Sequence, residues 1–214
     1  MGRGRAGLLA LISAALLVVA GSSTASNSDQ DATRALFFGD SLINGTGASP
    51  KGPWEVRTAA RQLGWQATVD AWGGTGYTTG GSKGKPYLYR FRHDGKLRTP
   101  YDVIVLEGGT NDARHGSISQ LEQKALEVID YVHQRQPWAR IVLVGGYAPS
   151  GVDLDRYRQA DVILREVAAQ RHLQYVSQLH YSDRTGGFLS RDRYHPSTTG
   201  YRAMGTDLAT ALRG

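Results

Sequence analysis

Three polar residues of this 214-residue chain have the types and the settings that nucleophilic catalysis requires. Ser41 follows a short apolar run, and a serine hydroxyl needs a base to accept its proton as it attacks a carbonyl carbon. His195 is the candidate base, and Asp192, three residues earlier, is placed to accept the Nδ1 proton of His195. Taken singly, Ser41 would be a helix N-cap, His195 a surface histidine and Asp192 a turn residue. Together they predict ester cleavage by an activated serine.

Alternating strands and helices are predicted to bring these distant residues together. Apolar runs that end in glycine, and stripes at helical spacing, mark the elements. The predicted strands span 35–38, 66–71, 101–106, 141–144 and 173–176, and the predicted helices span 54–63, 119–134, 155–170 and 197–212. This alternation predicts an α/β protein, with a parallel sheet covered by helices on both faces.

Four short motifs fall at or near the carboxyl ends of these strands, where functional groups of open α/β sheets gather. The motifs are Gly39-Asp40-Ser41-Leu42, Gly74 within 70–76, Gly109-Thr110-Asn111-Asp112, and Asp192-Arg193-Tyr194-His195. They resemble the sequence blocks of the SGNH (GDSL) hydrolase superfamily, in particular its secreted actinobacterial GDSL-like lipase/acylhydrolase members. The resemblance extends from about residue 36 to the end of the chain.

The resemblance implies a three-layer α/β/α sandwich around a flavodoxin-like parallel sheet of about five strands, and a serine esterase that acts through an acyl-enzyme. It assigns the oxyanion hole to the backbone N–H groups of Ser41 and Gly74 and to the side-chain amide of Asn111. Gly76 is the alternative to Gly74, because the glycine-rich stretch leaves the register open. No cofactor and no metal are predicted, since phosphate-loop and His-Glu-x-x-His motifs are missing from the sequence.

Two acidic residues, Asp40 and Asp112, adjoin the candidate catalytic residues and invite a metal hypothesis. We instead predict that they form hydrogen bonds with nearby backbone and hold the loops in shape.

The first 25 residues have the pattern of a secretory signal, with Arg3 and Arg5 before an uncharged apolar run over 8–20. We expect residues 26–33 to be a flexible leader and 34–214 to be one domain, secreted and monomeric, with no stable membrane insertion after cleavage. An uncleaved anchor is the alternative.

Removing residues 1–25 lowers the formal net charge from +6 to +4, which gives little reason to expect nucleic-acid binding. The chain has no cysteine, so thiol catalysis is excluded.

The segment 77–100 mixes aromatic and cationic residues and is predicted to be a surface loop beside the site. Tyr77, Tyr87 and Arg90 are its candidates for binding a sugar or an anionic polymer, although tyrosines packed on the sheet edge would give the same composition. We expect short acyl esters, plausibly acetyl groups on a polysaccharide or cell-wall glycan, since no apolar lid is evident. The alternatives are a lysophospholipase or lipase, an acyltransferase, and a cell-wall-binding protein without activity.

Overall fold

The computed structural model describes residues 1–2, 32–182, 184 and 186–213. Within these residues, strands and helices alternate along the chain as the sequence predicts. The strands are β1 (Arg34–Gly39), β2 (Gln66–Ala71), β3 (Val103–Gly108), β4 (Arg140–Gly145) and β5 (Gln174–Val176). The helices are α1 (Trp54–Leu63), α2 (Tyr87–His93), α3 (Thr110–His115), α4 (Ile118–Arg135), α5 (Leu154–Gln170) and α6 (Thr198–Leu212). The predicted signal segment and most of the leader lie outside the described residues.

The five strands form one parallel sheet in the order β2-β1-β3-β4-β5. This is the flavodoxin-like order, and it confirms the predicted fold class. The chain goes from β1 outward to β2 on one side and from β3 outward to β4 and β5 on the other. The loops after β1 and β3 therefore diverge and leave a crevice at the carboxyl ends of these strands.

Side chains that alternate along the strands build one apolar core on each face of the sheet. Phe37, Val105 and Val144 pack with α1 and α6 on one face. Leu36, Ile104 and Leu143 lie on the other face with α2, α4 and α5. The central strands β1, β3 and β4 are buried on both faces and have continuous apolar runs, which made them recognisable in the sequence, whereas the edge strands β2 and β5 are partly exposed.

The segment 77–100 differs from its prediction as a surface loop, because it contains α2 and two short 3₁₀ turns. Tyr87, Arg90 and Phe91 have helical spacing, and all three are buried against the sheet. Tyr77 is buried as well, with 1% of its surface exposed. Tyr77, Tyr87 and Arg90 therefore cannot contact a substrate, and their predicted role in substrate binding is wrong.

Helix α3 was not predicted either, because it is short and its sequence was interpreted only as a motif. Among the described residues, no helix has both the length and the apolar character needed to cross a bilayer.

Candidate active site

Ser41 lies in the tight turn that follows β1. The turn is held by its own backbone, since Thr46 N donates to Ser41 O at 2.9 Å and Asn44 N to Asp40 O at 3.1 Å. The Asp40 carboxylate accepts from Leu42 N at 2.8 Å, which is the local role predicted for it. The turn directs the Ser41 side chain into the crevice at the carboxyl edge of the sheet, where 8% of the residue remains exposed.

His195 and Asp192 lie in the loop just before α6 and reach Ser41 across the crevice. His195 Nε2 is 3.0 Å from Ser41 Oγ, and His195 Nδ1 is 2.7 Å from Asp192 Oδ2. If Nδ1 carries the proton that Asp192 accepts, Nε2 is left as the acceptor that faces the Ser41 hydroxyl. The structure thus brings together the three residues that the sequence singled out, in hydrogen-bonded order.

Asp192 is well supplied with donors even though 43% of its side chain is exposed. Its other oxygen, Oδ1, accepts from Ser190 Oγ at 2.6 Å and from the N–H groups of Tyr194 and His195, each at 2.9 Å. Partial burial raises the pKa of Asp192, but the bonds from Ser190, His195 and Tyr194 outweigh it and hold the pKa well below its ordinary value. The carboxylate is therefore ionised at neutral pH and suited to stabilise a protonated His195.

Gly47 lets the turn after β1 pass directly beside His195. A Cβ atom on Gly47 would lie 2.7 Å from His195 Cβ and 2.8 Å from Ser190 Oγ, and φ there is +90°. Both the space and the backbone conformation therefore require glycine at this position. The close approach fixes where the histidine loop sits relative to Ser41.

The structure distinguishes the two glycines that were candidates for the oxyanion hole. Gly76 N donates to Thr79 O at 2.8 Å, and a Cβ atom on Gly76 would lie 2.4 Å from Asp112 Oδ2, so this residue is directed toward Asp112. The N–H groups of Gly74 and Ser41 have no partner among the described residues, and both residues line the cleft. Gly74 therefore remains the candidate donor, and Gly76 does not.

Asn111 lies at the start of α3, close to Ser41, but its amide is already bonded within the protein. Nδ2 donates to Asp40 Oδ2 at 2.7 Å and to Thr75 O at 3.0 Å, which accounts for both of its hydrogens. Asn111 thus ties the loop after β3 to the loops after β1 and β2. In this structure Asn111 therefore positions the loops, and its amide could donate to an oxyanion only by sharing one of these two hydrogens.

The cleft above Ser41 has a volume of about 540 Å³ and is open to solvent. Its walls include five residues that the sequence analysis did not single out. These are Thr46, Gly73, Arg114, His115 and Tyr194. The Arg114 guanidinium lies 4.3 Å from the centre of the Tyr194 ring, so a cation and an aromatic ring face the site together. Tyr194 lies within the Asp192–His195 motif and Arg114 one turn after Asn111 on α3, which is the signal that would have found them.

Arg90 lies beneath the cleft and connects the ends of β1 and β2. Its guanidinium donates to Gly39 O at 2.8 Å and Thr75 Oγ1 at 2.9 Å, and it pairs with Asp70 Oδ1 at 2.6 Å. Neither side chain of the ion pair is more than 4% exposed. Asp112 supports the same loop, because it accepts from Thr78 N and Thr78 Oγ1 at 2.7 Å, as predicted for it.

Three fully buried carboxyl groups, Asp40, Glu55 and Glu107, influence one another's ionisation. Burial is the main cause that raises the pKa of Asp40 to about 7 and that of Glu55 to about 8, and it raises the pKa of Glu107 well above its usual range. Gln178 Nε2 donates to Glu55 at 2.6 Å, whereas neither oxygen of the Glu107 side chain has a partner among the described residues. The charged forms of these groups are therefore costly in the folded protein.

We expect Glu55→Gln to stabilise the protein at alkaline pH and to have little effect at pH 5. The pKa of Glu55 is higher in the folded protein than in the unfolded chain. The contribution of Glu55 to stability is therefore complete below its unfolded-state pKa and is lost as the pH rises through about 8. The free energy of unfolding, measured in urea, should be higher for the variant at pH 9 by on the order of 2 kcal/mol. Glu166→Gln, on the exposed face of α5, is the control. An equal difference at pH 5 and pH 9 would contradict the prediction.

Among 32–182, 184 and 186–213, no three histidine, aspartate or glutamate side chains converge on a point that could hold a metal ion.

The fold and the site together place the chain in the SGNH class, with a serine after β1 and a histidine before the last helix. The sequence model of the GDSL-like lipase/acylhydrolase family matches residues 37–203, and the chain belongs to this family. No match was found to a curated protein.

Solved structures show the same fold at low sequence identity. A family two carbohydrate esterase from Clostridium thermocellum, in complex with cellohexaose, superposes with a TM-score of 0.71 and 21% identity over 85% of this chain. The match spans 63% of that protein, so this chain corresponds to part of its length. A G-D-S-L family protein from Desulfitobacterium hafniense DCB-2 superposes with a TM-score of 0.69 at 15% identity. That match covers 84% of this chain and 99% of the Desulfitobacterium protein. A salicylyl-acyltransferase from a tetracycline biosynthetic pathway superposes with a TM-score of 0.67 at 17% identity. That match covers 86% of this chain and 55% of the acyltransferase.

Proposed function

We propose that the protein is a secreted serine esterase that removes short acyl groups, acetyl above all, from a polysaccharide or cell-wall glycan. The observation that carries the proposal is the hydrogen-bonded series from Ser41 through His195 to Asp192, next to the free N–H groups of Ser41 and Gly74. Secretion rests on the signal pattern of residues 1–25.

In the proposed reaction, Ser41 Oγ attacks the ester carbonyl carbon while its proton passes to His195 Nε2. The carbonyl oxygen becomes an oxyanion, which the N–H groups of Ser41 and Gly74 stabilise, with Asn111 as a third donor if it shares a hydrogen. The C–O bond to the alcohol then breaks, and the leaving oxygen takes the proton from His195. Water, deprotonated by His195, attacks the acyl-enzyme in the same way and releases the acid and free Ser41.

The lining of the cleft favours a short acyl group and a polar alcohol. Its walls contain the Tyr194 ring together with glycine, hydroxyl, amide, imidazole and guanidinium groups, and among the described lining residues there is no leucine, isoleucine, valine or methionine. A long acyl chain would therefore leave much of its apolar surface in water, at a cost of about 25 cal/mol per Å² relative to a buried chain. The carbohydrate esterases of similar fold are consistent with a sugar as the alcohol.

We expect kcat/KM for nitrophenyl esters to fall as the acyl chain lengthens from acetyl to octanoyl, because the described lining of the open cleft has no large aliphatic side chain to pack against the added methylenes. Initial rates of nitrophenol release across the series measure this, and acetate release from acetylated xylan extends the test to a glycan. Rates that rise toward dodecanoyl would instead support a lipase or lysophospholipase. No activity at any chain length would refute the proposed function.

Acyl transfer is a second candidate, because the openness of the cleft lets another alcohol reach the acyl-enzyme in place of water. Product analysis with an added sugar acceptor separates the two reactions. Acetylated sugar would indicate transfer, and free acetate alone would indicate hydrolysis.

A further inference from the structure

A second, smaller hollow of about 190 Å³ adjoins the catalytic cleft and plays no part in the chemistry described above. Its lining includes Trp72, Gly73, Ser82 and Lys83. Gly73 also lines the catalytic cleft, and a Cβ atom on Gly73 would lie 3.7 Å from Ser41 Cβ. Gly73, which has no side chain, therefore belongs to the walls of both spaces, so the hollow is near enough to receive a neighbouring unit of a polymer bound at Ser41.

The hollow is positively charged. Lys83 Nζ lies 4.4 Å from the centre of the half-buried Trp72 ring, and Lys85 Nζ lies 5.7 Å from the same ring. The indole face thus holds the ammonium groups at the rim by cation–π attraction. On the other side of Lys85, its Nζ is 5.3 Å from the ring of Tyr89, which is 38% exposed.

Little negative charge opposes these lysines. Neither Lys83 nor Lys85 forms an ion pair with any described residue. The charge of Asp70, which lies below the hollow, is taken up by Arg90 at 2.6 Å. Asp94 is close enough to feel the charge of Lys85, so Lys83 is the less compensated of the two.

We propose that this hollow is a subsite for an anionic group on the glycan, held by Lys83 and Lys85 beside the Trp72 ring, next to the unit that carries the ester. The inference rests on the proposed function and makes it more specific, because it identifies the preferred substrate as an acylated glycan with carboxylate or phosphate groups. The Ser82 hydroxyl, on the same rim, supplies a hydrogen-bond donor to such a group. A neutral glycan would gain nothing from the two ammonium groups.

Binding to the inactive Ser41→Ala protein tests the subsite without turnover. Affinity electrophoresis would compare xylan as the neutral polymer, polygalacturonate as the carboxylate polymer and poly(glycerol phosphate) as the phosphate polymer. We expect at least one anionic polymer to bind about tenfold more tightly than xylan at low ionic strength, and the preference to shrink as salt is added. The tighter of the two anionic polymers identifies the source of the charge.

Adding Lys83→Met to this protein should weaken binding of the preferred anionic polymer about fivefold and leave xylan binding unchanged. Lys96→Met is the matched control, since it removes the same charge from the turn that precedes β3, and Lys96 does not line the hollow. Equal binding of neutral and anionic polymers, or equal effects of the two substitutions, would overturn the subsite. Esterase activity is measured separately on the wild type, so failure of the subsite and failure of the proposed function are distinguishable.

Discussion

Replacing Ser41 with alanine is expected to lower kcat on nitrophenyl acetate by about 10⁴-fold or more, with the Tm unchanged. The substitution removes the only atom proposed to form the acyl-enzyme, while the N–H groups of Ser41 and Gly74 stay in place. Stability should not suffer, because the lost hydroxyl is bonded to His195 at 3.0 Å and supports nothing else in the described structure. Initial-rate kinetics and thermal unfolding measure the two effects.

Ser119→Ala is the matched control, since Ser119 is exposed at the start of α4, away from the cleft. His195→Ala should cost about as much activity as Ser41→Ala, and the double variant should be scarcely worse than either single variant, because the residues act as one unit. A Ser41→Ala protein that retains more than about one hundredth of the activity would argue for another nucleophile.

Arg90→Met is expected to reduce both stability and activity, although Arg90 touches no substrate. The change leaves the buried carboxylate of Asp70 without its partner, which should lower the free energy of unfolding by about 3 kcal/mol or more. Gly39 O and Thr75 Oγ1 also lose a donor, and Thr75 belongs to the loop that carries Gly74. Since small misplacements of catalytic groups are costly, we expect kcat to fall by about 10²-fold.

Combining Arg90→Met with Asp70→Asn separates the two effects. The second substitution removes the unpaired charge, so urea unfolding should show part of the stability restored, whereas kcat should stay low because the loop contacts remain missing. Arg92→Met, on the exposed face of the same helix, is the control. Full activity in a folded Arg90→Met protein would mean that Arg90 does not position the loop.

The aromatic and cationic segment 77–100 shows where sequence composition misleads. Tyr87, Arg90 and Phe91 have the i, i+3, i+4 spacing of a buried helix face, but the arginine among them concealed the apolar stripe. Arginine is rarely buried unless it is paired, and the partner of Arg90, Asp70, lies in a different element, the strand β2. The exposed residues Lys83 and Tyr89 of the same segment do lie at the surface, so the composition was a mixture of core and surface.

The sequence by itself determined the five strands, the four longest helices and the residues proposed to carry out the chemistry. Both depend on local sequence patterns. Apolar runs and helical spacing mark the elements, and short motifs after β1, after β3 and before α6 mark the site residues. Only the tertiary structure decided three further points: that the N–H of Gly74, unlike that of Gly76, has no partner among the described residues, that the Asn111 amide is bonded to Asp40 and Thr75, and that Arg90 lies under the cleft. The Asn111 and Arg90 contacts depend on distances between segments far apart in the chain, which are set by how the loops pack over the end of the sheet. The bond from Gly76 to Thr79 is local, but it depends on a loop conformation that the glycine-rich sequence leaves open.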